Sequence, residues 1–104
     1  MSRFGFYGKI ITHPGQRDAL ASILLKAAAA MQHIPGCELY IVNASATEPD
    51  TLWVTEVWSS QADHAASLAS EEVKALIAEG RALIAGGERI ELTPLGGKGL
   101  PDNG

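Results

Sequence analysis

His64 follows Trp58 by six residues, and Glu56 precedes the same tryptophan by two. These three side chains, with Tyr40, Asn43 and Arg81, are the polar groups through which the chain is expected to do chemistry. An imidazole titrates near neutral pH, so His64 is a candidate general base; its plain alternative is a solvent-facing histidine near a helix cap. Trp58 offers a flat apolar ring to wall a pocket and one N–H to donate, although packing in a core is the ordinary use of so large a ring. Glu56 shares a strand face with Trp58, where a carboxylate is either paired or serves as the acid of a pocket. Tyr40 and Asn43 are hydrogen-bonders near the same sheet, or satisfied edge residues. Arg81 reaches over a pocket from the last helix, or stands in solvent. The set suits proton transfer inside a small apolar pocket.

Other chemistries lack their residues. There is no phosphate-binding loop, dinucleotide fingerprint or nucleophile elbow. The Gly-Gly-Lys-Gly run at 96–99 has no helix after it and reads as a tail turn. His13, His33 and His64 sit on separate elements, and Asp63 is adjacent to His64 rather than on its helix face, so no metal site is expected. Cys37 is the single cysteine, which excludes an intramolecular disulfide and a thiolate metal site. Eight Lys and Arg are scattered along a chain of net charge −4, with no basic stripe for a nucleic acid. No apolar run approaches the ~18 residues that would cross a bilayer. The N-terminus lacks the form of a secretion signal, so a cytoplasmic location is expected. The 104 residues suffice for one domain, 1–95, followed by a flexible tail, 96–104.

The elements that must position these residues follow from periodicity. Residues 4–12 alternate as a strand, with Phe4, Phe6, Gly8 and Ile10 on one face. A helix over 16–32 carries Leu20, Ile23, Leu24, Ala27 and Met31 on one stripe. Strands are expected at 37–44 and 51–58, joined by a polar loop. Ser60 and Ser70 are placed to cap two further helices. The second of these runs to Ile84 and stops at Gly86-Gly87, and a fourth strand spans 88–95. The order is that of a ferredoxin-like split βαβ fold, α+β, with a four-stranded antiparallel sheet covered by helices on one face. Trp58 shares one face of its strand with Leu52, Val54 and Glu56, and Trp53 shares the other with Thr55 and Val57, so both sheet faces must be covered; a second copy is expected to cover the face that the helices leave, giving a homodimer packed sheet to sheet.

Three segments resemble the antibiotic biosynthesis monooxygenase domain: Pro35-Gly36-Cys37-Glu38-Leu39-Tyr40, Thr55-Glu56-Val57-Trp58-Ser59-Ser60, and His64-Ala65-Ala66-Ser67-Leu68. The run from Gly80 to Gly86 is similar to the last helix of its quinol-monooxygenase-like members. The likeness covers about residues 4–95 and implies a dimeric α/β barrel. It also implies oxidation of a small quinol or phenolic aromatic by O2, without flavin, haem or metal. On that resemblance His64 is the base or anion partner, Trp58 the pocket wall and donor, and Arg81 or Asn43 a secondary hydrogen-bonder. The chain departs from many members in its Trp-to-His spacing, six residues where nine is common, with Ser67 at the ninth position. It has Val54 where some polyketide-oxidising members carry Asn, and no Asn on the first strand, unlike haem-degrading relatives. A non-catalytic protein that holds a small hydrophobic ligand, or serves a stress response, on the same barrel is the alternative. Haem binding or degradation ranks third.

Overall fold

The structure, a computed structural model, describes residues 2–100. Its elements run β1 (Phe4–Thr12), α1 (Arg17–Met31), β2 (Cys37–Ala44), β3 (Thr51–Trp58), α2 (Gln61–Ser67), α3 (Glu71–Arg81) and β4 (Ile84–Leu92). The sheet order is β2-β3-β1-β4, with every pair antiparallel. This is the ferredoxin-like α+β arrangement expected from the order of elements. No helix of the described residues is long and apolar enough to cross a membrane.

Strand parity decides which residues meet the helices. Phe4, Phe6, Gly8 and Ile10 of β1 lie opposite Trp58, Glu56, Val54 and Leu52 of β3. That shared face is the helix-covered one, and it buries Phe6, Leu52, Val54 and Trp58. Leu20, Ile23, Ala27 and Met31 of α1 and Val73 of α3 close over it. Trp58 is 0% exposed and packs with Met31 and Val73. Removing that much apolar surface from water contributes about 3 kcal/mol.

The helix starts form as their capping residues predict. The Ser60 hydroxyl accepts from the Asp63 N–H at 3.1 Å, and the Ser70 hydroxyl accepts from the Val73 N–H at 3.5 Å. The Asp63 carboxylate is thereby free to accept from the Ser59 hydroxyl. It also lies against Gly36, whose backbone has φ +90° and where a Cβ would stand 2.6 Å from Asp63. Gly36 thus permits α2 to seat directly on the β2–β3 end of the sheet, with its carbonyl accepting from the Ser59 N–H at 2.8 Å. This contact fixes where His64, the residue after Asp63, must project.

The last helix and strand differ from the expected boundaries. The helix stops at Arg81, and the strand begins at Ile84 rather than at residue 88. Gly86 and Gly87 do not halt a helix; they pair with Ile11 and Ile10 inside the ladder. A Cβ at Gly87 would overlap the Lys9 carbonyl oxygen, so the close approach of the two strands requires glycine there. A two-residue link leaves no room for a longer helix, and the register shifts between Ile11 and Thr12 as the strand enters. Ile84 is consequently a strand residue.

Among the described residues no helix lies over the second sheet face. Tyr7 (46%) and Ile90 (52%) are exposed there, along with Ile11, Ile41 and Leu92. Lys9 lies over the Trp53 ring at 5.8 Å. Beyond β4 the chain turns back, and Pro94 sits against Gly5. Residues 93–94 and 98–100 line a cleft against this face. The rest of the expected tail, residues 101–104, lies outside the described residues.

Candidate active site

Between the sheet and its helices lies a cavity of about 240 Å³. Aliphatic residues from α1 and α3, together with Phe6, Gly8 and Val54 of the sheet, make most of its wall. Its polar lining is confined to Tyr40, Glu56, His64 and Ser67. An apolar enclosure with a few convergent polar groups is the usual form of a small-molecule site.

Glu56 reaches the cavity because β3 alternation places it on the helix side, between Val54 and Trp58. Its side chain is only 11% exposed. The Trp58 indole Nε1–H donates to Glu56 Oε1 at 3.0 Å. His64 comes from the other side, on α2, and its Nε2 stands 4.0 Å from the same Oε1. That is too long for a direct hydrogen bond. Three aromatic rings hold the imidazole: Phe4 and Phe6 at 5.3 Å and Trp58 at 5.4 Å between centroids. The buried Ser67 hydroxyl donates to the His64 carbonyl at 2.6 Å, which ties down the turn that carries the ring.

Both groups titrate away from their ordinary values, in opposite directions. Burial pushes the Glu56 carboxyl up to about 7; the Trp58 hydrogen bond and the Arg89 charge oppose this rise. Burial and the Arg89 charge lower the His64 pKa, and Glu91 counters them weakly. At neutral pH Glu56 is therefore poised between its two forms, while His64 is the neutral imidazole. Each is able to take a proton. Tyr40, opposite Glu56 in the β2–β3 register, is held protonated by burial and by the Glu56 charge. Burial and the same carboxylate push the Cys37 thiol up to about 11, so it is not an activated nucleophile.

The structure brings His64, Glu56 and Tyr40 of the expected set to one cavity. Trp58 supports them from behind: it is fully buried, and its N–H is committed to Glu56, so it neither walls the cavity nor donates into it. Asn43 and Arg81 are elsewhere. Asn43 falls on the open sheet face, where parity puts every second residue of β2, and its amide donates to the Trp53 carbonyl at 3.1 Å. Arg81 is exposed at the end of α3 and does not line the cavity. Three contributors were not singled out from sequence. Phe6 and Ser67 follow from strand and helix parity once the cavity is located. Arg89 follows only from the β1–β4 register, which sets it beside Gly8 on the helix-side face. Among the described residues, no three His, Cys, Asp or Glu side chains converge to hold a metal ion.

The family model described as antibiotic biosynthesis monooxygenase matches residues 5–79. No curated protein matches the chain. A solved structure from Chloroflexus aurantiacus J-10-fl, provisionally assigned as an antibiotic biosynthesis monooxygenase, is 44% identical. The match covers 96% of this chain and all of that one, with a TM-score of 0.89. A provisionally assigned member from Caulobacter crescentus CB15 is 22% identical, with 91% and 92% of the two chains covered and a TM-score of 0.84. A protein of unknown function from Nitrosomonas europaea is 23% identical over 99% and 98% of the chains, with a TM-score of 0.79. These last two share the fold. On the family match and the 44% identical relative, the chain belongs to the antibiotic biosynthesis monooxygenase family.

Proposed function

We propose that the protein is a cofactor-independent monooxygenase that oxidises a small phenolic or quinol aromatic with O2. The observation that carries this reading is the Glu56–His64 pair, 4.0 Å apart at the polar end of an otherwise apolar cavity. An oxygen atom making hydrogen bonds of ~2.8 Å to both groups fits that gap. A phenolic hydroxyl in that position donates to the Glu56 carboxylate and accepts from the Nε2–H of the neutral His64 imidazole, while its ring lies among aliphatic side chains. The carboxylate of Glu56 takes the hydroxyl proton, and His64 and the Tyr40 hydroxyl orient the resulting oxyanion.

The phenolate then supplies the electrons. Its ring carbon forms a bond to O2, giving a ring hydroperoxide once a proton returns from Glu56. Loss of the ring C–H proton and cleavage of the O–O bond release water and leave a quinone. One oxygen atom enters the product and the other leaves as water; the substrate is the reductant, and no further electron donor enters. The apolar wall raises the energy of a localised anion and keeps water from the hydroperoxide.

The open face supports a homodimer. Tyr7, Ile41, Ile90 and Leu92 expose an apolar surface that a second copy of the same face would bury. The lone protonated Cys37 thiol suits a reducing cytoplasm. The haem reading gains nothing from this geometry, because the His64 Nε2 faces Glu56 and its ring is boxed by three others.

The test is turnover of 1-naphthol under ¹⁸O2 by protein stripped of metals and flavin. One labelled atom per naphthoquinone, with one O2 consumed per substrate, is expected. Tight binding of 1-naphthol without turnover of any phenol would replace this reading with a ligand-holding role.

A further inference from the structure

We propose that Arg89, on the β4 rim of the cavity, is the specificity residue of the site and selects hydroxylated aromatics that carry an acidic substituent. The inference rests on the phenol-oxidising reading only for the identity of the ring; the anion selectivity is argued from position.

β4 is an edge strand, and its main packing partner is β1. The register places Arg89 beside Gly8 and Glu91 beside Phe6. Both Gly8 and Phe6 line the cavity. Gly8 has no side chain to separate Arg89 from the cavity, and the guanidinium stacks over Phe6, 4.6 Å from its centroid. That Phe6 ring also packs edge-on against His64. The cation is therefore one aromatic ring away from the proton-accepting pair, and its charge acts on both members. Among the described residues, no Lys or Arg lines the cavity itself.

Arg89 already holds a carboxylate. Its Nη2 donates to Glu91 Oε2 at 2.6 Å, and the two side chains are 44% and 53% exposed. An ion pair this exposed contributes little to stability. A carboxylate on the substrate can displace Glu91 while the planar fork of Arg89 keeps a partner of the same geometry. The phenolic end then lies between Glu56 and His64, and the acidic end lies at the rim. Fixing both ends holds the ring in one orientation, which decides which carbon meets O2.

The experiment compares binding of 6-hydroxy-2-naphthoate and 2-naphthol under anaerobic conditions, by calorimetry, in wild type, Arg89→Gln and Glu91→Gln. Both residues are exposed on an edge strand, and a thermal melt of each variant checks the fold. The wild type is expected to bind the naphthoate about tenfold more tightly than the naphthol, the scale of one charge-assisted contact. Arg89→Gln is expected to level the two ligands, and Glu91→Gln to widen the preference by freeing the guanidinium. Equal affinities in the wild type, or a preference that survives Arg89→Gln, would overturn the proposal. Oxygen uptake with each ligand separates the two claims. Selective binding without uptake leaves Arg89 as an anion receptor and removes the oxygenase reading. Uptake with no dependence on Arg89 does the reverse.

Discussion

Replacing Trp58 by Phe removes one hydrogen-bond donor from Glu56 and leaves an aromatic ring in the core. The Nε1–H to Oε1 bond is 3.0 Å long and lies where Glu56 is only 11% exposed. It stabilises the charged carboxylate, so its loss favours the protonated form. Hydrogen bonds to charged groups contribute about 1.5–3 kcal/mol, which is about 1–2 pKa units. The Glu56 midpoint, near 7 in the wild type, should therefore rise by about 1–2 units. The assay is ¹³C NMR titration of the Glu side-chain carboxyls, with Glu56→Gln used to assign the resonance. Truncating a core aromatic to Ala typically costs ~3–5 kcal/mol; Phe retains most of the ring and should stay folded at 25 °C. A Glu56 midpoint that stays in place or falls in a folded Trp58→Phe protein would refute the argument that the indole N–H holds this carboxyl.

The other predictions concern stability and assembly. Because the Glu56 pKa is raised on folding, from 4.5 to about 7, the native state holds more protons than the unfolded chain in that window. Its contribution is full below pH 4.5 and is lost as pH rises towards 7, by roughly 3 kcal/mol at most. His64 opposes it, since a lowered pKa makes stability fall as pH drops below 6.5. Urea denaturation of Glu56→Gln against pH should thus keep the acid-side loss from His64 and lose the decline between 4.5 and 7; an unaltered decline would mean that Glu56 is not the group involved. Gly87→Ala forces a methyl group onto the Lys9 carbonyl and should destabilise by ~1–3 kcal/mol, seen as a lower melting temperature; an unchanged one would contradict the strand register. Ile90→Lys puts a charge on the open apolar face. Sedimentation should then give a mass near 10.9 kDa, against twice that for the wild type; a monomeric wild type would remove the dimer proposal.

The legible part of the fold was the part written in local pattern. Alternation from Phe4 to Ile10 and from Leu52 to Trp58 grouped the residues that share the covered face, and Ser60 and Ser70 capped the helices they precede. Gly86-Gly87 misled because a glycine pair signals a helix stop and a close strand approach alike; only the Lys9 carbonyl opposite decides between them. In the site, the same parity that joined Glu56 to Trp58 also placed Tyr40 across from them. Asn43 is an odd-numbered neighbour on β2 and faces the other way, which becomes visible only once the β2–β3 register is known. Trp58 could not be divided between wall and core from sequence, since the outcome depends on Met31 and Val73 arriving from two different helices. Arg89 carried no local signal, because its meaning comes from an edge strand that pairs with the first strand of the chain.

The most direct test of the central claim is O2 consumption by metal-free, flavin-free protein against hydroquinones and naphthols, with Glu56→Gln and His64→Ala alongside. Uptake well above autoxidation in the wild type, abolished in Glu56→Gln and strongly reduced in His64→Ala, is the predicted result. No uptake above the autoxidation control for any substrate, or uptake that both variants retain, would contradict the account.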